Sequence, residues 1–386
     1  MTQHAPLLPP STDTVVVGAG LMGSAVAWHL ARRGHGVVVV ERFTPANPLG
    51  SSHGSARIIR RAYPHIDYIR LTGEAFEWWR ELELDSDGPI LRLTGGLDHG
   101  ADRQPRTIAS ALSRAGVEHD LLSASEAEDR YPGMVFEGPV LYHPQAGTID
   151  AEHAVRALLA GAEAHGAATA QGTEVVAIVD GDDTVRVQTT HGDVRARTVV
   201  VAAGAWMPEL LAGIVELPPL WVTQHAVFHF PRADPSVTWP VTIHRADMDV
   251  YHLPGGRDGG PTDARKIAEH RGAATTARTR SGEVDDGSRR RITEYVRRWL
   301  PGLVPDPFGE TTCLYTSTQD EDFLIDRIGR VVVVSACSGH GAKLAPVVGR
   351  VAADLVEGHP SEPARFGLSR HRERIQPGRR PMTVLP

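Results

Sequence analysis

The sequence predicts an α/β fold, a parallel nucleotide-binding sheet joined to a second domain of antiparallel strands, and three observations carry that expectation. Residues 14–41 pass from a short apolar run through three glycines and a helical pattern to a second apolar run closed by an acid. Residues 331–356 repeat the strand, glycine turn and helix near the other end of the chain. Between them, residues 218–301 alternate apolar and polar side chains, as in Ala226-Val227-Phe228-His229-Phe230, which suits antiparallel strands. A chain of 386 residues exceeds what one core usually serves, so two domains and room for a large ligand are expected.

In the first unit Val15 to Val17 reads as a strand and Val37 to Val40 as its parallel neighbour. Each glycine between them has its own task. Gly18 makes the tight turn, Gly20 lets the backbone approach a pyrophosphate, and Gly23 lets helix and strand pack closely. The helix then turns its N-terminal amides toward the phosphates. Glu41 follows about twenty residues later, where a carboxylate accepts hydrogen bonds from the ribose hydroxyls of an adenosine. The glycines alone say little. Strand before, helix after and acid at the end make the signal specific.

Composition narrows the class. With 41% hydrophobic and 23% charged residues, the chain reads as an ordinary globular protein, and no apolar run approaches the roughly 18–20 residues of a membrane span. A formal charge of -7 gives no electrostatic reason to expect nucleic acid. Residues 1–11 are Pro-rich and lack the basic start and apolar segment of a signal peptide, so a cytoplasmic location is the simplest reading. The two cysteines, Cys313 and Cys337, are expected to be thiols, one of them open to chemical use. No metal site is expected.

Along the chain, residues 50–64 read GSSHGSARIIRRAYP, with His53, Arg57, Arg60 and Arg61 among small residues. Alone they suit a solvated basic loop and helix start. Their place after the second strand instead suits a ligand crevice beyond the strand ends. Residues 69–82 predict a helix whose Phe76, Trp78 and Trp79 serve as core. Residues 88–144 read as a mixed insertion without obvious chemistry, with strands near 91–97 and a helix near 106–115. A helix over 150–165, strands over 174–179 and 185–189, and a run at 198–203 follow, ending at Gly204. That glycine serves either nucleotide approach or packing. Residues 254–263 form a Gly-rich loop. In the strand pattern after it, Lys266 faces the side of Ala268 and His270, locally a solvated face. Residues 289–300 predict an amphipathic helix stopped by Pro301. Residues 313–316 and 323–326 read as a hairpin, the helix after the glycine cluster 338–341 spans 343–356, and the tail from Glu373 runs over the surface.

Three stretches carry a resemblance nearly from end to end: GSSHGSARIIRRAY at 50–63, CLYTSTQDEDFLID at 313–326 and SGHGAK at 338–343. The chain resembles the monomeric sarcosine oxidase and N-methyltryptophan oxidase family, FAD-dependent amine oxidases of the D-amino acid oxidase superfamily. The resemblance implies a GR2-type Rossmann-like FAD domain from residues 1–90, 145–217 and 311–386. A substrate domain would take 91–144 and 218–310. It implies an FAD held covalently through the Cys313 thiol, with Cys337 a buried thiol. Arg57 would lie near the flavin ring, Arg60 and Lys343 would bind a substrate carboxylate, and Tyr251 and His270 would line the pocket. Lys266 would promote reduction of O2 to H2O2. Cofactor contacts are further implied at Gly18, Gly20, Met22, Gly23, Glu41 and Arg42. Ser51, Ser52, Val175, Gly204, Gly339, Gly341 and Lys343 complete that set. The chain departs from the family pattern at Ser55-Ala56, where Asp-Thr is usual, in a longer loop before Lys266, and at Ala342, where a bulkier aromatic is common. The last implies a roomier pocket and an amine larger than sarcosine. The implied activity is oxidation of a secondary amine or N-methyl amino acid by a monomer, without nucleic-acid or membrane partners.

Overall fold

The computed structural model describes residues 8–260, 264–376 and 380–381. Expectations for the Pro-rich start, the end of the Gly-rich loop and the last part of the tail fall partly outside the described residues.

The first sheet grows from valine. The strand Ser11–Val17 pairs in parallel with Val37–Val40 on one side and Gly192–Val201 on the other, with Val15 opposite both Val38 and Val199. β-branched side chains suit a strand buried on both faces. Val16, Val39 and Val200 enter one core, and Val15, Val38 and Val199 the other. Each such valine contributes roughly 1.5–3 kcal/mol by leaving water. The helices Leu21–Arg32, Ala151–Ala164 and Ala345–Val356 cover the first face. Gly349 makes that packing tight, since a Cβ there would lie 2.6 Å from the Ala25 backbone. The edge of Gly192–Val201 is shared. Its first half pairs antiparallel with Val185–Thr189, its second half in parallel with Val331–Ser335. The sheet thus joins the two ends of the chain.

The second sheet has nine strands and is antiparallel throughout, except where Val241–Arg245 runs parallel to Gly96–His99. Trp221–Phe230 pairs along one edge with Arg265–Glu269 and Ala273–Thr275, and along the other with Gly309–Ser317. Helix Asp286–Trp299 covers one face of this sheet. Its Ile292, Tyr295, Val296 and Trp299 follow helical spacing and pack with Phe228, Phe230 and Ile267. A third, three-stranded sheet joins Arg57–Arg60, Ala146–Ile149 and Leu91–Leu93.

Four expectations change. Residues 313–316 and 323–326 do not form a hairpin, because Gly309–Ser317 lies in the second sheet while Leu324–Ile328 pairs with Val331–Ser335. Arg57–Arg60 is a strand and not a loop or helix start, since Ala146–Ile149 satisfies its backbone. Lys266 is 6% exposed, because its strand is covered on both faces. The helix expected over 343–356 begins at Ala345, after a single tight turn at Ala342–Leu344. Among the described residues no helix is long and apolar enough to cross a membrane.

Candidate functional site

A cavity of about 730 Å3 runs between the two sheets and receives every predicted site residue except Gly23. Gly23 lies beneath it, and a Cβ there would stand 1.8 Å from the Gly18 carbonyl oxygen. That contact fits its predicted packing role. Gly18 has φ +101°, and a side chain would meet the Ala202 carbonyl at 2.7 Å. At the mouth of helix Leu21–Arg32, the Ser52 hydroxyl accepts the Leu21 N–H at 3.0 Å. Beside it the buried Glu41 carboxylate accepts the Ala19 N–H at 2.7 Å and the Phe43 N–H at 2.9 Å. Burial raises its pKa, and those two amides oppose the rise. Each carboxylate oxygen keeps a second lone pair for a ribose hydroxyl. Glycines, helix terminus and acid suit the adenosine and pyrophosphate of FAD. Met22, Arg42, Val175 and Gly204 line the same space.

Farther along, Ser51 donates to the Leu314 carbonyl at 2.6 Å and so ties the first turn to the second sheet. Arg57 spends its guanidinium on the carbonyls of Ala56, Ser51 and His53, which fixes it as a rigid wall. Lys266 donates to the Ala56 carbonyl at 3.2 Å. Burial, then the Arg57 charge, pushes its ammonium down to about 7, while Asp258 acts in the opposite sense. Asp258 is itself held by the Ser55 N–H at 2.7 Å, so the departure at Ser55 has a local partner in the longer loop. Cys313 is buried and lies within electrostatic reach of Lys266. Cys337, expected as a buried thiol, is half-buried and lines the same cavity, and burial pushes its thiol up.

At the far end the two sheets bring a second set of groups together. Lys343 is 4% exposed, donates to the His340 carbonyl at 2.6 Å, and is held in place by Trp79, whose indole N–H donates to the Lys343 carbonyl at 2.9 Å. Trp79 is core, as expected, and also an anchor for the site. Burial, then Arg60 and Arg103, pushes the Lys343 ammonium well below its ordinary range. Arg60 is buried, donates to the Ala62 carbonyl, and lies 4.5 Å from the Tyr63 ring centre. The Tyr63 hydroxyl meets His340 Nδ1 at 3.0 Å. The opposite wall carries Tyr251, whose hydroxyl accepts from Tyr315 at 3.2 Å, and His270, which burial keeps neutral. Gly339 lets these rings close in, since a Cβ there would stand 2.4 Å from His270 and 2.6 Å from Tyr315.

Tyr63, Tyr315 and His340 stood in the resembling stretches without an assigned role. Arg103 had no signal at all: the insertion assigned no chemistry sends it into the cavity.

The chain matches the model of the family "FAD dependent oxidoreductase" over residues 13–355. It is 33% identical to the peroxisomal sarcosine oxidase of Homo sapiens, covering 89% of this chain and 91% of that protein. It is 30% identical to the N-methyl-L-tryptophan oxidase of Yersinia pestis, over 93% and 99%. Among solved structures, NikD, described as an unusual amino acid oxidase essential for nikkomycin biosynthesis, superposes with a TM-score of 0.84 at 27% identity, covering 93% and 98%. With these matches and a dinucleotide cradle opening onto a buried cationic pocket, the chain belongs to the FAD dependent oxidoreductases, alongside the sarcosine and N-methyltryptophan oxidases.

Proposed function

We propose that the protein oxidises an N-alkylated amino acid larger than sarcosine, with O2 as acceptor and H2O2 as product. The observation that carries this is the pairing of buried Arg60 and Lys343 at one end of the cavity, two cations that repel each other until an anion arrives. A substrate carboxylate is that anion. It is gripped by a guanidinium and an ammonium, which fixes the neighbouring amine carbon against the centre of the cavity. FAD, when bound, supplies the redox chemistry, taking a hydride equivalent from the amine carbon and passing electrons to dioxygen. Gly18, Gly20, Glu41, Ser52 and Gly204 would hold its adenosine and pyrophosphate, with Arg57 beside the ring and Cys313 as the covalent tether. Tyr251 and His270 wall the pocket as neutral groups, and Ala342 leaves room for the substrate's side chain. Lys266 provides a fixed positive charge where oxygen reduction develops a negative one. That lysine argues against a dehydrogenase serving another electron acceptor.

In this reading the protein is a cytoplasmic monomer in which the first and second sheets mark the FAD and substrate units. The sarcosine and N-methyl-L-tryptophan of its relatives' names share a secondary amine and a carboxylate.

The test is oxygen uptake with peroxide release across sarcosine, N-methyl amino acids, cyclic imino acids, glycated amino acids and amines lacking a carboxylate. The carboxylate-bearing secondary amines should dominate. Equal turnover of simple amines would sink the proposal. Acid-precipitated protein should keep its yellow colour in the pellet, and Cys313→Ala should release it. Flavin left in the wild-type supernatant would exclude the tether.

A further inference from the structure

We propose that Arg103, beside Arg60 and Lys343, forms a subsite for a second carboxylate, so that the preferred substrate is an N-alkylated aminodicarboxylic acid. This rests on the function proposed above and adds the chemistry of the substrate's side chain.

Arg103 ends the short turn Ala101–Arg103, just past the strand Gly96–His99. Its Nη2 donates to the Ala62 carbonyl oxygen at 3.1 Å, and Arg60 Nη1 donates to that same oxygen. Two guanidinium groups therefore meet on one uncharged acceptor. Both line the cavity, and both bear on the Lys343 ammonium. Three cations thus converge where a lone α-carboxylate brings a single negative charge.

Among the described residues, one carboxylate serves this cluster. Asp98, fully buried, accepts Arg103 Nε at 2.5 Å. Its second oxygen faces the buried His143 at 3.7 Å and has no hydrogen-bond partner among the described residues. The other nearby charges are engaged elsewhere. Arg245 pairs with Asp249 at 2.5 Å, Asp322 with Arg365 and Arg374, and Glu321 bears on His270 across the pocket.

Three positive charges against Asp98 leave two to be met from outside. An α-carboxylate meets one. A side-chain carboxylate one or two methylenes away, as in aspartate or glutamate, meets the other within reach of the two guanidinium groups that share Ala62. Planar guanidinium geometry favours such carboxylate contacts.

The experiment compares kcat/KM for N-methylaspartate and N-methylglutamate with that for N-methylalanine, in the holoenzyme and in Arg103→Gln and Arg103→Lys. Wild type should prefer a dicarboxylate by about tenfold or more, the scale of one added charged contact. That ratio should collapse toward one in Arg103→Gln and recover in part in Arg103→Lys. Succinate and glutarate should bind wild type more tightly than acetate and propionate by calorimetry, a difference lost in Arg103→Gln. A wild type that favours N-methylalanine, or a dicarboxylate preference that survives Arg103→Gln, overturns the subsite. So does an equal fall for both substrate classes, which would make Arg103 a brace for the α-carboxylate. If Arg103→Gln does not fold, the wild-type ratio and the binding of the diacids still decide. Turnover of monocarboxylic N-methyl amino acids without a diacid preference removes only this proposal. Failure of every amino acid to reduce the flavin removes the function beneath it.

Discussion

The cavity holds two buried lysines that share a local geometry and differ in their company. Lys266 and Lys343 each donate to a backbone carbonyl, at 3.2 and 2.6 Å, and burial pushes both ammonium groups down. Lys266 has a carboxylate within reach, Asp258, which favours its charge. Among the described residues no carboxylate bears on Lys343; Arg60 and Arg103 oppose its charge, and only the Cys337 thiol favours it. A lysine supplied with its own counter-charge keeps a cationic form up to about neutral pH while neutral molecules come and go. One surrounded by cations is completed by an anionic ligand. Under the proposed function, the difference separates a charge that acts on the reaction from a charge that waits for the substrate.

The largest effect expected from this contrast is on oxygen. Lys266→Met should slow reoxidation of the reduced enzyme by about 10^2–10^3, the scale of losing a preorganised electrostatic contact, while anaerobic reduction by substrate suffers far less. Stopped-flow measurement of the two half-reactions checks this, and equal losses in both would dissolve the contrast. Lys343→Ala should act the other way round. It should raise KM for carboxylate-bearing substrates by roughly 2–3 kcal/mol, about 30- to 150-fold, because a desolvated charge pair loses one member. Decarboxylated analogues should be nearly indifferent to it.

The smallest effect sharpens the comparison most. If the ammonium form of Lys266 serves the oxygen step, reoxidation in wild type falls as pH rises through about 7, since protonation is lost above the pKa. Asp258→Asn keeps the acceptor for the Ser55 N–H but removes the counter-charge. The midpoint should then move to lower pH by about one unit, with KM for substrate little changed. A midpoint that stays put would mean Asp258 only anchors its loop.

How much of this was legible followed the range of the interactions. The unit at residues 14–41 could be read because strand, turn, helix and acid are neighbours in sequence, and Gly18 and Gly23 meet atoms that the motif itself brings close. Lys266 illustrates the limit. Alternation told which residues share its face, but both faces of Arg265–Glu269 are covered, one by the cavity and the other by helix Asp286–Trp299. Local polarity therefore pointed outward and was wrong, and only the family resemblance placed the lysine inside. Arg57–Arg60 became a strand through Ala146–Ile149, and Gly309–Ser317 left its supposed hairpin for Trp221–Phe230, pairings that no local pattern announces. Arg103 needed Asp98, Ala62 and the cavity together before it meant anything.

The shared edge of Gly192–Val201 has a consequence for how the protein is made. Val331–Ser335 completes the nucleotide sheet, and Ala345–Val356 packs on the helix that follows the first glycine turn. The turn at Gly18 therefore leaves the ribosome more than three hundred residues before its far wall at 331–356 does. Closing so long a loop is slow and comes late. Nascent chains and C-terminal truncations ending before residue 331 carry the glycine signature without the walls around it. Cofactor capture thus waits on the chain through Ala345–Val356, and FAD retention reports that this stretch has been made and has folded onto the first glycine turn.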